Sequence, residues 1–264
     1  MDKYFDDGHT RAKALKNRGP IRFESDGTLG RDISDAYSEY GFYIFESVLA
    51  SDELVDIKAD VEHILNRAPI KKDAENDLSG NRPLGFGCKA PTFFWAPPLS
   101  DPFGATDAAG GRHPVKMPEP KAEKGVADEA IFLILGSLQF SNACLRAYGH
   151  PELLKVAEAV NGSDFTPFNE ALFIKKPGVG ASVAWHQDGL THWDSEDFDE
   201  GTHGFNFMAQ LYGSTARNGV WVVPGTHRLG KMDIKEMVNV AGTEYLPDAV
   251  PMVCGAGDVV ISNR

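Results

Sequence analysis

Cysteine is scarce in this chain, with three among 264 residues: Cys88, Cys144 and Cys254. They are widely spaced and odd in number, and no two form a CxxC pair. That excludes a zinc ribbon and a disulfide-stapled fold, and it favours a reducing compartment. Long hydrophobic runs are missing too. No stretch approaches the roughly 18 apolar residues of a membrane span, and the N-terminal MDKYFDDGHTRAKALKNRG has no apolar run of the signal-peptide kind. Basic charge is the third deficit: 26 Lys+Arg against 38 Asp+Glu leave the chain at −12. Nucleic acids and anionic membrane surfaces select for basic patches, so neither is expected as a partner. A small-molecule substrate and a cytoplasmic location are expected instead.

What the chain does have is ordinary globular usage. Hydrophobic residues make up 42% and charged residues 24%, and a chain of this length can bury a core without disulfides or a structural metal. Residues 1–35 are polar and read as a loosely ordered lead-in. Gly41 then breaks a helical stretch, and GFYIFESVL is aromatic and β-branched enough to be a strand. In SDELVDIKADVEHIL the spacing of Leu54, Ile57, Val61, Ile64 and Leu65 predicts an amphipathic helix capped by Ser51. Residues 73–125 are crowded with Gly and Pro and read as a loop-rich insertion, such as a lid. Its Phe93, Phe94 and Trp95 either line a pocket or tether the loop. A helical region is expected over 128–160, with Pro151 opening its last helix. Beyond it come short runs separated by Gly, Pro and Asn: FNEALFIKKPG, ASVAWHQD, HGFNFMAQLYG, GVWVVPG, AVPMVCG and GDVVIS. Helices first and strands second predict an α+β fold, a sandwich or barrel with helices on one side.

The chemistry concentrates in Trp185-His186-Gln187-Asp188. If ASVAW is a strand, residues i and i+2 share a face, so His186 and Asp188 present an imidazole nitrogen and a carboxylate side by side. That is two-thirds of the facial triad that leaves positions open on a non-haem ferrous ion. An H-x-D tripeptide alone is also compatible with a paired surface His and Asp. Its context adds Asn218-Gly219 through Pro224-Gly225-Thr226-His227, an apolar run between turns, and then GAGDVVIS.

Together GFYIFESVLASDELVDIKADVEHIL, FIKKPG, WHQDG, NGVWVVPGTHRLG and AGDVVI resemble, in order, the phytanoyl-CoA dioxygenase family of iron(II)- and 2-oxoglutarate-dependent oxygenases. The resemblance spans about residues 36–262 and is poorest over 73–125. It implies a cupin-like jelly roll (a double-stranded β-helix), with residues 36–264 as a single oxygenase domain. It implies iron(II) on His186 and Asp188, 2-oxoglutarate and O₂ as cosubstrates, and hydroxylation of a small organic substrate. The carboxylate of Asp188 favours hydroxylation, since a halogenating relative replaces it with a small residue. In the family a third histidine follows the GDVVI-like strand, and an arginine farther on pairs with 2-oxoglutarate. Both are expected beyond Arg264, so the chain reads as C-terminally truncated, and its activity as given is open.

Other residues are placed around this pair. In HGFNFMAQLYG, Asn206, Met208 and Gln210 alternate onto one face, and polar groups on an inner face meet a ligand or water. Gln210 is therefore a candidate cosubstrate contact. Lys175 and Lys176 are further candidates, one of them pointing inward. Trp193 is a candidate wall of the substrate pocket. His192 and His203 lie in or beside the acidic run 194–200, which is most simply a solvated loop. Two other readings stand beside the oxygenase. One is a non-catalytic family member; the other is a two-His cupin-like isomerase using His186 and His227.

Overall fold

The computed structural model describes residues 2–100, 122–167, 169–181, 183–188 and 205–263. Two strands with strict side-chain alternation set its layers. β2 (Phe42–Phe45) and β9 (Val259–Asn263) pair antiparallel, from Phe42 opposite Ser262 to Phe45 opposite Val259. One face carries Tyr43, Phe45, Val259 and Ile261; the other carries Phe42, Ile44 and Val260, and all seven are buried. A strand apolar on both faces needs a layer on each side.

Helices cover the first face. α2 (Arg31–Tyr40) sets Ile33 and Tyr37 against Tyr43, Phe45 and Ile261. α3 (Ser51–Asn66) brings Leu54, Ile57 and Val61 to Val259, together with Ala143 and Cys144 of α4 (Asn142–Tyr148) and Leu153 of α5 (Pro151–Asn161). On the second face Phe42, Ile44 and Val260 meet Val250, Met252 and Cys254. That layer includes the ribbon of β7 (Trp221–Val222) and β8 (Val250–Pro251). β1 (Arg18–Gly19) flanks β2, and β6 (Phe205–Ala209) flanks β9, giving the order β1-β2-β9-β6. A further sheet runs β3-β4-β5, made of Phe93–Ala96, Ala130–Leu135 and Ala171–Phe173. After the loop that follows β7, α6 (Ile234–Ala241) packs through Ile234. The expected α+β class, strands layered against helices, is what the described residues form.

Several expectations change. Residues 130–135 are a strand, where a helix was expected. AIFLIL is a continuous apolar run, which periodicity cannot assign, and pairing with β3 and β5 decides it. Phe93–Trp95 of the insertion form the partner strand, with Phe93 in the core beside Ile64 and Ile134. The lead-in is not loose: α1 (Asp2–Ala14) packs on β8. Tyr4 Oη donates to the Leu246 carbonyl at 3.0 Å and Arg11 to that of Ala249 at 2.7 Å, while Arg18 donates to that of Val253. Three of its polar side chains are therefore spent on distant backbone carbonyls. α1 lies away from α2–α5, so the helices are not all on one side. α3 starts at Ser51 itself, and Glu53 Oε2 accepts from Ala50 N at 2.8 Å in place of a Ser51 cap. Gly41 does end α2, in the left-handed conformation at φ +81.

Candidate functional site

The segment holding His186 and Asp188 belongs to no strand, so the expected strand ASVAW is absent among the described residues 181 and 183–185. It is secured at intervals instead. Ala181 is buried with Phe132 and Leu133 of β4, and its carbonyl accepts from Lys175 Nζ at 2.6 Å. Gly180 lies so close to Lys175 that a Cβ would sit 2.9 Å from the Lys175 Cα, which reserves that position for glycine. Ala184 is buried. Trp185 Nε1 donates to the Glu244 carbonyl at 2.8 Å. Gln187 Nε2 donates to the Gly230 carbonyl at 3.1 Å, and its Oε1 accepts from Met232 N at 2.6 Å.

Despite the missing strand, the imidazole and carboxylate meet. His186 Nε2 lies 3.5 Å from Asp188 Oδ1, both side chains being partly exposed. The distal atoms are engaged elsewhere. His186 Nδ1 is 2.8 Å from the Ala184 carbonyl, which can only accept, so Nδ1 is the donor there and Nε2 is the nitrogen that faces the carboxylate. Asp188 Oδ2 accepts from Asn206 Nδ2 at 3.0 Å. Asn206 stands opposite Ser262, so the carboxylate is tied to the strand that flanks β9.

The model of the family described as phytanoyl-CoA dioxygenase (PhyH) matches residues 37–263. The chain belongs to the phytanoyl-CoA dioxygenase family. No curated protein matches the chain. Among solved structures it is similar to AviO1 from Streptomyces viridochromogenes Tue57, at 20% identity and a TM-score of 0.53, over 96% of this chain and 83% of that one. It is also similar to EctD from S. alaskensis with bound Fe, at 17% identity and a TM-score of 0.56, over 92% of this chain and 71% of that one. SnoK, a non-heme alpha ketoglutarate dependent carbocyclase from nogalamycin biosynthesis, matches at 15% and 0.50, over 92% and 77%. At these identities the likeness is one of fold.

In this member of the phytanoyl-CoA dioxygenase family, the remaining expected residues separate. Lys175 reaches the Ala181 carbonyl, and burial pushes its ammonium below the ordinary lysine value, although the residue as a whole is exposed. Lys176 is exposed. Gln210 lies half-buried just past β6, its main chain paired with Asp258 and Gly257. The β6 alternation is as expected, since Met208 joins the Phe42, Ile44 and Val260 layer. His227 is held elsewhere: its Nε2 lies 3.0 Å from the Ser38 carbonyl, and its ring packs on Gly41. Burial lowers its pKa. That contact places His227 at the end of α2. Trp193, His192, His203 and Arg264 lie outside the described residues. Among the described residues no three His, Cys, Asp or Glu side chains form a metal-holding group, and no helix is long and apolar enough to cross a membrane.

Three contributors were not foreseen. Asn206 stood on the correct face of β6, and the alternation that singled out Gln210 pointed equally to it. Gln187 and Trp185 were legible only as neighbours of the H-x-D pair, because their partners at 230–244 are distant in sequence.

Proposed function

We propose that this chain is an iron(II)- and 2-oxoglutarate-dependent oxygenase built on a jelly roll, with His186 Nε2 and Asp188 Oδ1 as two metal ligands. The observation that carries the reading is the pair itself: an imidazole nitrogen and a carboxylate oxygen 3.5 Å apart, each oriented by a bond to its far atom. The donor set fits iron(II), for which one carboxylate and imidazole nitrogens on one side are the usual protein ligands. Membership of the phytanoyl-CoA dioxygenase family supports the class, and EctD, of the same fold, is a protein with bound Fe.

When bound, the metal supplies the oxygen chemistry, coupling decarboxylation of 2-oxoglutarate to oxidation of a substrate. The residues of this chain hold and orient. The Ala184 carbonyl fixes the His186 tautomer, and Asn206 holds the outer oxygen of Asp188 so that the inner one faces the imidazole. The resemblance puts a third histidine after the GDVVI strand, and the pairing of Asn206 with Ser262 ties Asp188 to the end of that strand. With the chain at −12, a small neutral or cationic metabolite fits as substrate better than a polyanion.

Iron(II) and 2-oxoglutarate added together without oxygen should produce a weak visible charge-transfer absorption, and oxygen should then release succinate. His186→Ala should abolish both. Succinate release that survives His186→Ala would exclude this metal assignment.

A further inference from the structure

The candidate metal ligands sit on a segment that is not a strand, yet the side chain between them is bound at both ends. Gln187 donates Nε2–H to the Gly230 carbonyl and accepts the Met232 N–H on Oε1, at 3.1 and 2.6 Å. One primary amide thereby imitates two rungs of a β ladder, with residues 230–232 as the opposite strand. Trp185, on the other side of His186, makes a third bond farther along the same connection, from its indole N–H to the Glu244 carbonyl at 2.8 Å. The chain is fastened just past Glu244. Tyr4 Oη donates to the Leu246 carbonyl at 3.0 Å, and the Tyr4 ring lies 5.1 Å from that of Tyr245.

We infer that Gln187, seconded by Trp185, is a positioning residue for the His186–Asp188 pair, clasping it to residues 230–244 in place of a strand partner. The clasp rests on the proposed metal site and says what keeps that site in register. Side chains i and i+2 stay on one side only while the backbone between them keeps its local conformation. Outside a ladder, the amide of residue i+1 is the group placed to hold it. Partners that orient metal ligands are worth about 10–100-fold in metal affinity.

The test titrates Co(II), as a spectroscopic stand-in for iron(II), into the 264-residue chain without 2-oxoglutarate. Absorption reports binding and site symmetry, and thermal unfolding runs in parallel. Gln187→Met keeps the shape and removes both bonds. It should weaken Co(II) binding about tenfold and alter the visible bands, while the loss of two bonds lowers the melting temperature by only about 2–6 °C, so that the variant stays folded. Gln187→Glu keeps the acceptor for Met232 N–H and loses the donor, so it should fall between wild type and Gln187→Met. Trp185→Phe should weaken binding less than Gln187→Met. His186→Ala separates the two claims. If it binds Co(II) as wild type does, the metal-site reading fails. If it loses Co(II) while Gln187→Met matches wild type in affinity and spectrum, the site stands and the clasp is overturned. Should Gln187→Met not fold, wild-type affinity and spectrum in Gln187→Glu overturn the clasp equally.

Discussion

Strand β9 and the segment 183–188 are tied together through Asn206, but they are held by different means. β9 has ladder partners on both edges, β2 and β6, and its Val259, Val260 and Ile261 are 0% exposed. The 183–188 segment has no ladder, and its His186 and Asp188 side chains are 28% and 40% exposed. One region is fixed by apolar area, at about 1.5–3 kcal/mol for each fully buried aliphatic side chain. The other is fixed by a few directed hydrogen bonds, each worth about 0.5–1.5 kcal/mol net. The difference separates stability from chemistry. A metal site must keep polar atoms uncovered, so it cannot be held by burial and borrows rigidity from neighbours that are.

Substitutions on the two sides should therefore fail in different ways. Ile261→Ala removes a side chain enclosed by Tyr43, Phe45 and Val156. It should cost about 2–5 kcal/mol in urea unfolding, and a cost below about 1 kcal/mol would mean that this layer is looser than its burial implies. Gly41→Ala comes next. At φ +81 a Cβ is strained, and here it would lie 2.4 Å from His227 Nδ1, so a loss of about 1–3 kcal/mol is expected. Asn206→Ala tests the other side. Asn206 is exposed, so unfolding should shift by no more than about 0.5 kcal/mol, while succinate release should fall about tenfold. Equal losses of stability and turnover in Asn206→Ala would erase the contrast.

The smallest expected effect is a pH slope. Burial is the main cause lowering the His227 pKa; the Ser38 carbonyl opposes it and Arg228 adds to it. The native protein therefore holds this imidazole neutral where the unfolded chain would protonate it. The resulting stability is fully present above the ordinary histidine value of about 6.5, and it is lost as pH falls through the lowered native value. Between pH 7 and 5 the stability difference between wild type and His227→Gln should narrow. A constant difference would show that His227 acts by packing alone.

Much of this was legible in local pattern. Leu54, Ile57, Val61 and Ile64 are spaced for one helix face, and that face is buried. The alternation of β6 put Asn206 and Met208 together, and Gly41 ended a helix where only glycine turns easily. Legibility failed where an element depends on a distant partner. AIFLIL fits a helix or a strand equally until β3 and β5 lie beside it. A polar N-terminus reads as loose until Tyr4, Arg11 and Arg18 meet carbonyls more than 230 residues away in sequence.

The same division runs through the candidate site. The scarcity of cysteine and basic charge narrowed the class, the ordered motifs from GFYIFESVL to AGDVVI carried the resemblance to the family, and the H-x-D tripeptide singled out the two side chains proposed as metal ligands. Residue type and spacing suffice for that, because ligand chemistry is a property of the side chain. Tertiary structure decided that the pair meets without a strand beneath it, that Asn206 holds the carboxylate while Gln187 bonds to residues 230 and 232, and that His227 belongs to the end of α2. Those outcomes are set by bonds between segments far apart in the chain, and no local spacing encodes the partner of a hydrogen bond.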